Sequence, residues 1–252
     1  MDIKQGVALV TGAAQGIGKA ICETLLNKGC KVCCSDVNSE IGNKTVDELQ
    51  KVFGKTSCIF LKCDVSSFEE FEATYQKTKE TFGNVNILIN NAGVGVEKVV
   101  DVNLNGVING CFIAYKYMGK HNGGSGGSVV NVASIAGLLP CPYFPVYAAT
   151  KGGVVSLTRS YGHKLHYEKS GITFMCLCPS AVNTDLFWST TADTLFAEEF
   201  TKIWKSRIVL EPSAIAEAII QLLEDGKNGA VMTVIGGKEN TYVPMPEAEM
   251  FY

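Results

Sequence analysis

Short apolar runs alternate with longer amphipathic stretches from one end of the chain to the other. Val7-Ala8-Leu9-Val10 ends in a Gly-rich turn, and Ile17, Ile21 and Leu25 then recur at helical spacing until Gly29 closes the helix. A strand at 31–35, a helix at 39–53 and a strand at 57–63 follow. Ser66-Ser67-Phe68-Glu69-Glu70 reads as a helix cap with an acidic first turn. The rhythm continues with a strand at 86–89, a helix from about 99 to 119, a strand at 128–132, a helix at 145–168 and a strand at 172–178. Residues 185–210 are helical in composition but interrupt the alternation, which a helix at 213–223 and a strand at 230–235 complete. The Gly-rich stretch 121–127 is short enough to be a connection and not a linker. Strands that are apolar throughout and separated by helices need cover on both faces. The expected architecture is α/β: one domain over 1–252, with a doubly wound parallel seven-stranded sheet and helices on both faces.

Composition narrows the function without naming it. A chain of 252 residues that is 46% hydrophobic can fill a two-sided core. A net charge of −3 gives no reason to expect a nucleic acid or an anionic membrane as partner. No apolar run reaches the ~18–20 residues of a membrane-spanning helix. The start, Met-Asp-Ile-Lys-Gln, lacks the basic and apolar regions of a secretory signal, and Met250-Phe251-Tyr252 is not a lipidation or peroxisomal signal. Ten cysteines sit mostly in strand-like segments such as Cys33-Cys34 and Cys176-Leu177-Cys178, where free thiols act as small core residues. Cys30 and Cys33 form a lone C-x-x-C, and His163 and His166 lack a third ligand, so no metal is expected. A cytoplasmic protein with unpaired thiols is expected.

The chemistry gathers at the ends of the strands. Thr11-Gly12-Ala13-Ala14-Gln15-Gly16-Ile17-Gly18 joins the first strand to the first helix. Glycines there let a pyrophosphate approach helix N–H groups, as in a Rossmann fold, although the spacing G-x-x-x-G-x-G is not the common one. Asp36 ends the second strand, where a carboxylate accepts hydrogen bonds from ribose hydroxyls and repels a 2′-phosphate. Asp64 follows the third strand and Asn90-Asn91-Ala92-Gly93 the fourth. In open α/β sheets ligands bind beyond these carboxyl ends. Ser134 lies past the fifth strand, and Tyr147 and Lys151 stand four apart, on one face of a helix. An ammonium beside a phenol favours the phenolate. A Tyr/Lys pair alone also decorates ordinary helix surfaces, and Ser134 and the nucleotide motif give it its weight.

Thr11-Gly12-x-x-x-Gly16-x-Gly18, Asn90-Asn91-Ala92-Gly93, Ser134 and Tyr147-x-x-x-Lys151 together resemble the short-chain dehydrogenase/reductase family over nearly the whole chain. The resemblance implies an NAD-dependent oxidoreductase that moves a hydride to or from a CH–OH carbon. It implies Tyr147 as acid/base, Lys151 as the group that lowers its pKa and binds the nicotinamide ribose, Ser134 as a bond to the substrate oxygen, and Asn103 as the holder of a relay water. The cofactor would lie on Gly12, Gln15, Gly16, Ile17, Gly18, Asp36, Asp64, Val65, Asn91, Gly93, Tyr147, Lys151, Val182 and Thr184. Several stretches are similar to the hydroxyprostaglandin-oxidising members, but Phe144 stands where those carry a Gln, and Pro179-Ser180 where the family reads Pro-Gly. Substrate is expected on Ser134, Phe144, Tyr147, Phe187 and Trp188, under a lid at 185–210. The expected partner is a small lipophilic secondary alcohol or ketone, with hydroxyprostaglandins, steroids and retinoids as alternatives. A catalytically idle nucleotide-binding scaffold is the reading from another class. The family also implies a homodimer through the helices at 99–119 and 145–168, whose Val107, Cys111, Tyr115, Val154 and Leu157 exceed what one core face needs.

Overall fold

The computed structural model describes residues 3–190, 194 and 196–245. The chain runs β1 (Val7–Thr11), α1 (Gly16–Asn27), β2 (Lys31–Asp36), α2 (Ser39–Phe53), β3 (Cys58–Lys62), α3 (Phe68–Phe82), β4 (Ile87–Asn90), α4 (Gly106–Tyr117), β5 (Gly127–Val132), α5 (Pro145–Tyr161), α6 (Lys164–Ser170), β6 (Ile172–Pro179), α7 (Asp185–Thr190), α8 (Ala197–Lys205), α9 (Pro212–Asp225), β7 (Val231–Val234) and β8 (Thr241–Tyr242). One sheet takes the order β3-β2-β1-β4-β5-β6-β7-β8. The seven expected strands are parallel, and the sheet gains a two-residue edge strand, β8, antiparallel to β7. So short a strand has no periodicity to betray it.

Each strand serves both faces. Ala8 and Val10 of β1 enter one core with α1 and α9, while Val7 and Leu9 enter the other with α3, α4 and α5. On β6 the same alternation sends Met175 and Leu177 one way and Phe174, Cys176 and Cys178 the other. The cysteines are free, and nine of the ten are buried, as their strand positions led one to expect. Side chains cap the starts of α2 and α3: Asn38 Oδ1 accepts from Ile41 N–H, and Ser67 Oγ from Glu70 N–H.

Two expectations change. The helix expected at 145–168 breaks at Gly162-His163 into α5 and α6, where His163 Nδ1 accepts from Leu165 N–H and caps the second piece. The apolar residues read as surplus on α4 and α5 are largely spent inside: Val107, Cys111 and Val154 are buried in the chain's own core. A helix that lies on a sheet while flanked by other helices needs more than one apolar stripe. The outward apolar positions are instead Phe112 on α4 and Val146 on α5, both more than half exposed.

The strand order reverses between β1 and β4, and one hydroxyl holds that point together. Thr11 Oγ1 donates to Ile89 O and accepts from the backbone N–H groups of Asn91 and Ala92, at 3.0 and 3.1 Å. Asn91 Nδ2 returns to Thr11 O and Gly12 O. Thr11→Val keeps the shape and strands two part-buried N–H donors, each worth ~1–3 kcal/mol where water cannot replace the hydroxyl. Urea unfolding should show a stability loss of roughly 2–4 kcal/mol for Val and a much smaller one for Thr11→Ser, which keeps the hydroxyl. Equal losses in the two variants would assign the effect to the methyl group.

Candidate active site

A cleft of about 870 Å³ opens along the carboxyl edge of the sheet. Its lining takes in Gly12, Gln15, Gly16, Ile17, Gly18 and Asp36 of the nucleotide motifs, Asn91, Gly93, Ser134, Tyr147 and Lys151, and Val182, Thr184, Phe144 and Phe187. Residues far apart in the chain, from Gly12 to Phe187, thus line one cleft at the switch point.

The nucleotide end is built from backbone. α1 begins at Gly16 with Gln15 as N-cap, whose side chain makes no capping bond, and no acidic residue stands in its first turn. Its leading N–H groups and positive dipole end are therefore available to an anion. Gly16 has φ +55°, and a Cβ there would lie 3.2 Å from the Thr184 methyl, closing the gap between turn and far wall. Asp36 accepts from Ala14 N–H on one carboxylate oxygen and Asn38 N–H on the other, which fixes its position while leaving each oxygen further lone pairs. A glycine cradle, an uncapped helix start and a placed carboxylate fit a dinucleotide with a free 2′-hydroxyl.

The central group depends on how closely α5 approaches the turn after β5. Gly137 permits that approach: a Cβ on it would sit 2.6 Å from the Lys151 carbonyl. Ser134 caps this turn by accepting from Ala136 N–H at 3.1 Å, and its hydroxyl lies close enough to the Tyr147 phenol to favour the phenolate. Lys151 is buried, donates to Val132 O at 2.9 Å, and carries its ammonium 5.6 Å from the Tyr147 ring centre. Desolvation dominates both groups. It pushes Tyr147 up to about 12, with the Ser134 hydroxyl working against it, and pulls Lys151 down to about 8. The expectation that the ammonium would lower the phenol is thus outweighed in this cleft by burial of the phenol itself.

Four expected residues sit outside the lining. Asn103 is fully buried in a π-helical turn, Asp101–Asn105, and clamps the loop after β4: its Oδ1 accepts from Val94 N–H and its Nδ2 donates to Val94 O. A Cβ on Gly93 would lie 3.3 Å from Asn103 Oδ1 and 3.7 Å from Lys151 Nζ, so Asn103 stands just behind the cleft wall. Asp64 accepts from Ser66 N–H and Oγ–H, which lowers its pKa, and Val65 packs on Gly106. Trp188 is half exposed, and its Nε1 donates to Asn183 Oδ1.

The aromatic wall is larger than expected. Phe200 and Trp204 face the cleft with Tyr143 and Ile203, and Phe200 contacts Phe144, Phe187, Tyr143 and Trp204 at 5.2–5.9 Å between ring centres. Their i, i+4 spacing on α8 was the available signal, since it puts both rings on one face. The segment carrying them is pinned at its base by a backbone bridge between Val182 and Leu210, and over the cleft by Thr194 Oγ1, which donates to Tyr143 O.

Comparison with known proteins agrees with this geometry. The family model for short chain dehydrogenase matches residues 6–195. The chain is 40% identical over 249 residues to 15-hydroxyprostaglandin dehydrogenase [NAD(+)] of Rattus norvegicus, covering 94% of each. Among solved structures it is similar to levodione reductase, with a TM-score of 0.81 at 30% identity over 93% of this chain and 97% of that one. A short chain dehydrogenase/reductase from Burkholderia phymatum, solved in complex with NAD, gives 0.77 at 25% identity over 92% and 90%. The strand order, the glycine turn, the Ser–Tyr–Lys cluster and these likenesses place this chain in the short-chain dehydrogenase family.

Proposed function

We propose that this oxidoreductase uses NAD to convert a lipophilic secondary alcohol to its ketone, or the reverse, with Ser134, Tyr147 and Lys151 as its catalytic residues. The observation that carries the reading is the meeting of those three side chains, the Asp36 carboxylate and an aromatic wall in one cleft. NAD, when bound, supplies the hydride acceptor for the carbinol carbon. Tyr147 Oη takes the hydroxyl proton in oxidation and returns it in reduction. Ser134 Oγ holds the same oxygen, and Lys151 keeps positive charge beneath the phenol. Asn103 fixes the loop that forms the wall beside Lys151, and Asn91, Gly93, Val182 and Thr184 complete the cofactor side. Asp64 and Val65 flank that side from the β3 end. Residues 185–210 act as the lid, with Phe144 and Phe187 against the substrate and Trp188 on the outer side. Lys151 is committed to Val132 O and the phenol, and the aromatic wall of Phe144, Phe187, Phe200 and Trp204 adds no cation beside it, which suits a neutral reacting end, because an unpaired buried charge is costly. The 15-hydroxyprostaglandin dehydrogenase relatives support an amphipathic lipid alcohol of that kind, with Phe144 making the inner wall apolar. An idle scaffold is disfavoured because nothing in such a protein requires a desolvated Lys beneath a Tyr.

Tyr147→Phe should lower turnover by ~10²–10⁴-fold with NADH binding retained. In the unmodified enzyme, kcat/KM for oxidation should rise with pH through neutrality, because the phenol must lose its proton, and bend near 8 as Lys151 loses its charge. Lys151→Met should abolish that bend, and a bend that persists removes Lys151 from the profile. An NADH absorbance assay on a panel of secondary alcohols checks both variants, and no turnover of any of them would favour the scaffold.

Cofactor choice rests on Asp36. The enzyme should prefer NAD to NADP, and Asp36→Asn, which removes the charge but keeps an acceptor, should shift the ratio of kcat/KM values toward NADP by at least about tenfold, the scale of one like-charge contact. An unmoved ratio would show that another residue decides.

Assembly is the third part of the proposal. A homodimer is expected through the outer faces of α4 and α5, where Phe112 and Val146 are exposed. Light scattering should report twice the chain mass of 27.1 kDa, and a species of 27.1 kDa alone would overturn it.

A further inference from the structure

The lid segment carries three cations, Lys202, Lys205 and Arg207, and the fold separates them. Lys202 and Lys205 face a shallow depression on the outer side with Ala197, Glu198 and Thr201. Arg207 alone of the three faces the catalytic cleft. Among the described residues the cleft presents two basic side chains, Lys151 and Arg207, and Lys151 is buried and committed to Val132 O and the phenol. Arg207 is exposed, and no ion pair within 4.0 Å is found for it among the described residues. Its guanidinium lies 5.4 Å from the Trp204 ring centre, a contact that orients the plane while leaving its N–H edges open.

The rings between Arg207 and the reacting centre form a continuous path. Trp204 contacts Phe200 at 5.9 Å, Phe200 contacts Phe144 at 5.4 Å, and Phe144 precedes Tyr147 by one turn. A ligand lying along this path meets apolar surface for its whole length, a proton-transfer group at the inner end and a planar cation at the outer end. Two carboxylates also line the cleft, Asp36 at the nucleotide end and Asp185 at the start of α7. Asp185 opposes an anion near it, which leaves the Trp204 side of the mouth as the favourable approach.

We propose that Arg207 receives a carboxylate of the substrate, so that the substrate class is a lipophilic secondary alcohol bearing a remote acid group. This deepens the function proposed above and rests on it. A guanidinium fits a carboxylate through two parallel N–H···O bonds, and the apolar path sets the acid apart from the reacting carbon. The arrangement explains how a cleft whose inner cation, Lys151, is already committed accepts an anionic lipid: the charge stays at the wet mouth.

The test uses the full-length enzyme with NAD and two probes, a mid-chain hydroxystearate and its methyl ester, which differ in the carboxylate alone. Unmodified enzyme should favour the acid in kcat/KM by at least about tenfold, the scale of one charge-assisted hydrogen bond. The preference should lie in KM and shrink as salt is raised. Arg207→Gln should bring the acid-to-ester ratio close to one while melting temperature and NADH affinity hold, and Arg207→Lys should restore part of it. Equal handling of acid and ester by the unmodified enzyme, or a ratio that survives Arg207→Gln, overturns the assignment and leaves the dehydrogenase reading in place. Failure to oxidise either probe, or any other lipophilic secondary alcohol, overturns that reading and this inference with it.

Discussion

Thr11 stands where the sheet reverses its order, and the cleft exists because the chain leaves β1 and β4 in opposite directions there. Parallel strands end with their carbonyls on one edge, so every connection after a strand passes over the same side of the molecule. Between β1 and β4 the two connections diverge and leave a gap. That gap has to stay open while its rims stay fixed. The Thr11 hydroxyl meets both demands by serving three backbone partners at Ile89, Asn91 and Ala92. Asn91 answers from the other rim. The glycine turn, the loop held by Asn103 and the Ser134 turn are all hung from strand ends whose spacing this contact sets.

Catalytic competence and burial pull against one another in the centre of that cleft. Close packing of α5 on the Gly137 turn places Ser134 by Tyr147, and it also buries Lys151 and leaves Tyr147 only partly exposed. Desolvation disfavours the charged form of each group, raising the phenol and lowering the ammonium. The result is a site with a neutral tyrosine and a lysine whose charge is only loosely held near pH 8. The same exclusion of water strengthens any dipole or charge later placed beside the phenol. Burial therefore keeps the resting tyrosine protonated and makes it sensitive to its surroundings.

The outer half of the cleft follows a different logic. Phe144, Phe187, Phe200 and Trp204 meet edge to face or tilted, so the wall is rigid without being flat. The segment that carries most of these rings joins the sheet through the Val182–Leu210 bridge, and Asn183 adds bonds to Trp188 and Glu211 at the same base. Stiff rings on a segment tied to the sheet at one base are what the proposed lid would need.

How much was legible in the chain differs between these parts. Periodicity showed the seven parallel strands and nearly all the helices, because apolar residues at every strand position leave no other way to bury two faces. The motifs showed Gly12 to Gly18, Asp36, Ser134, Tyr147 and Lys151, since their chemistry depends on local spacing or on a strand end. The two-residue β8, the break at Gly162 and the inward use of Val107, Cys111 and Val154 were not legible, because each is settled by which neighbours a helix or edge meets. The same holds for the site. Sequence alone marks Asn103 for the relay water, Asp64 for the cofactor and Phe187 and Trp188 for the substrate, without saying which way each side chain faces. Packing decides that Asn103 braces Val94, that Asp64 binds Ser66, that Phe187 faces inward and Trp188 outward, and that Arg207 alone of the three cations reaches the cleft. A side chain's identity is local, whereas the direction it faces is a property of the elements around it.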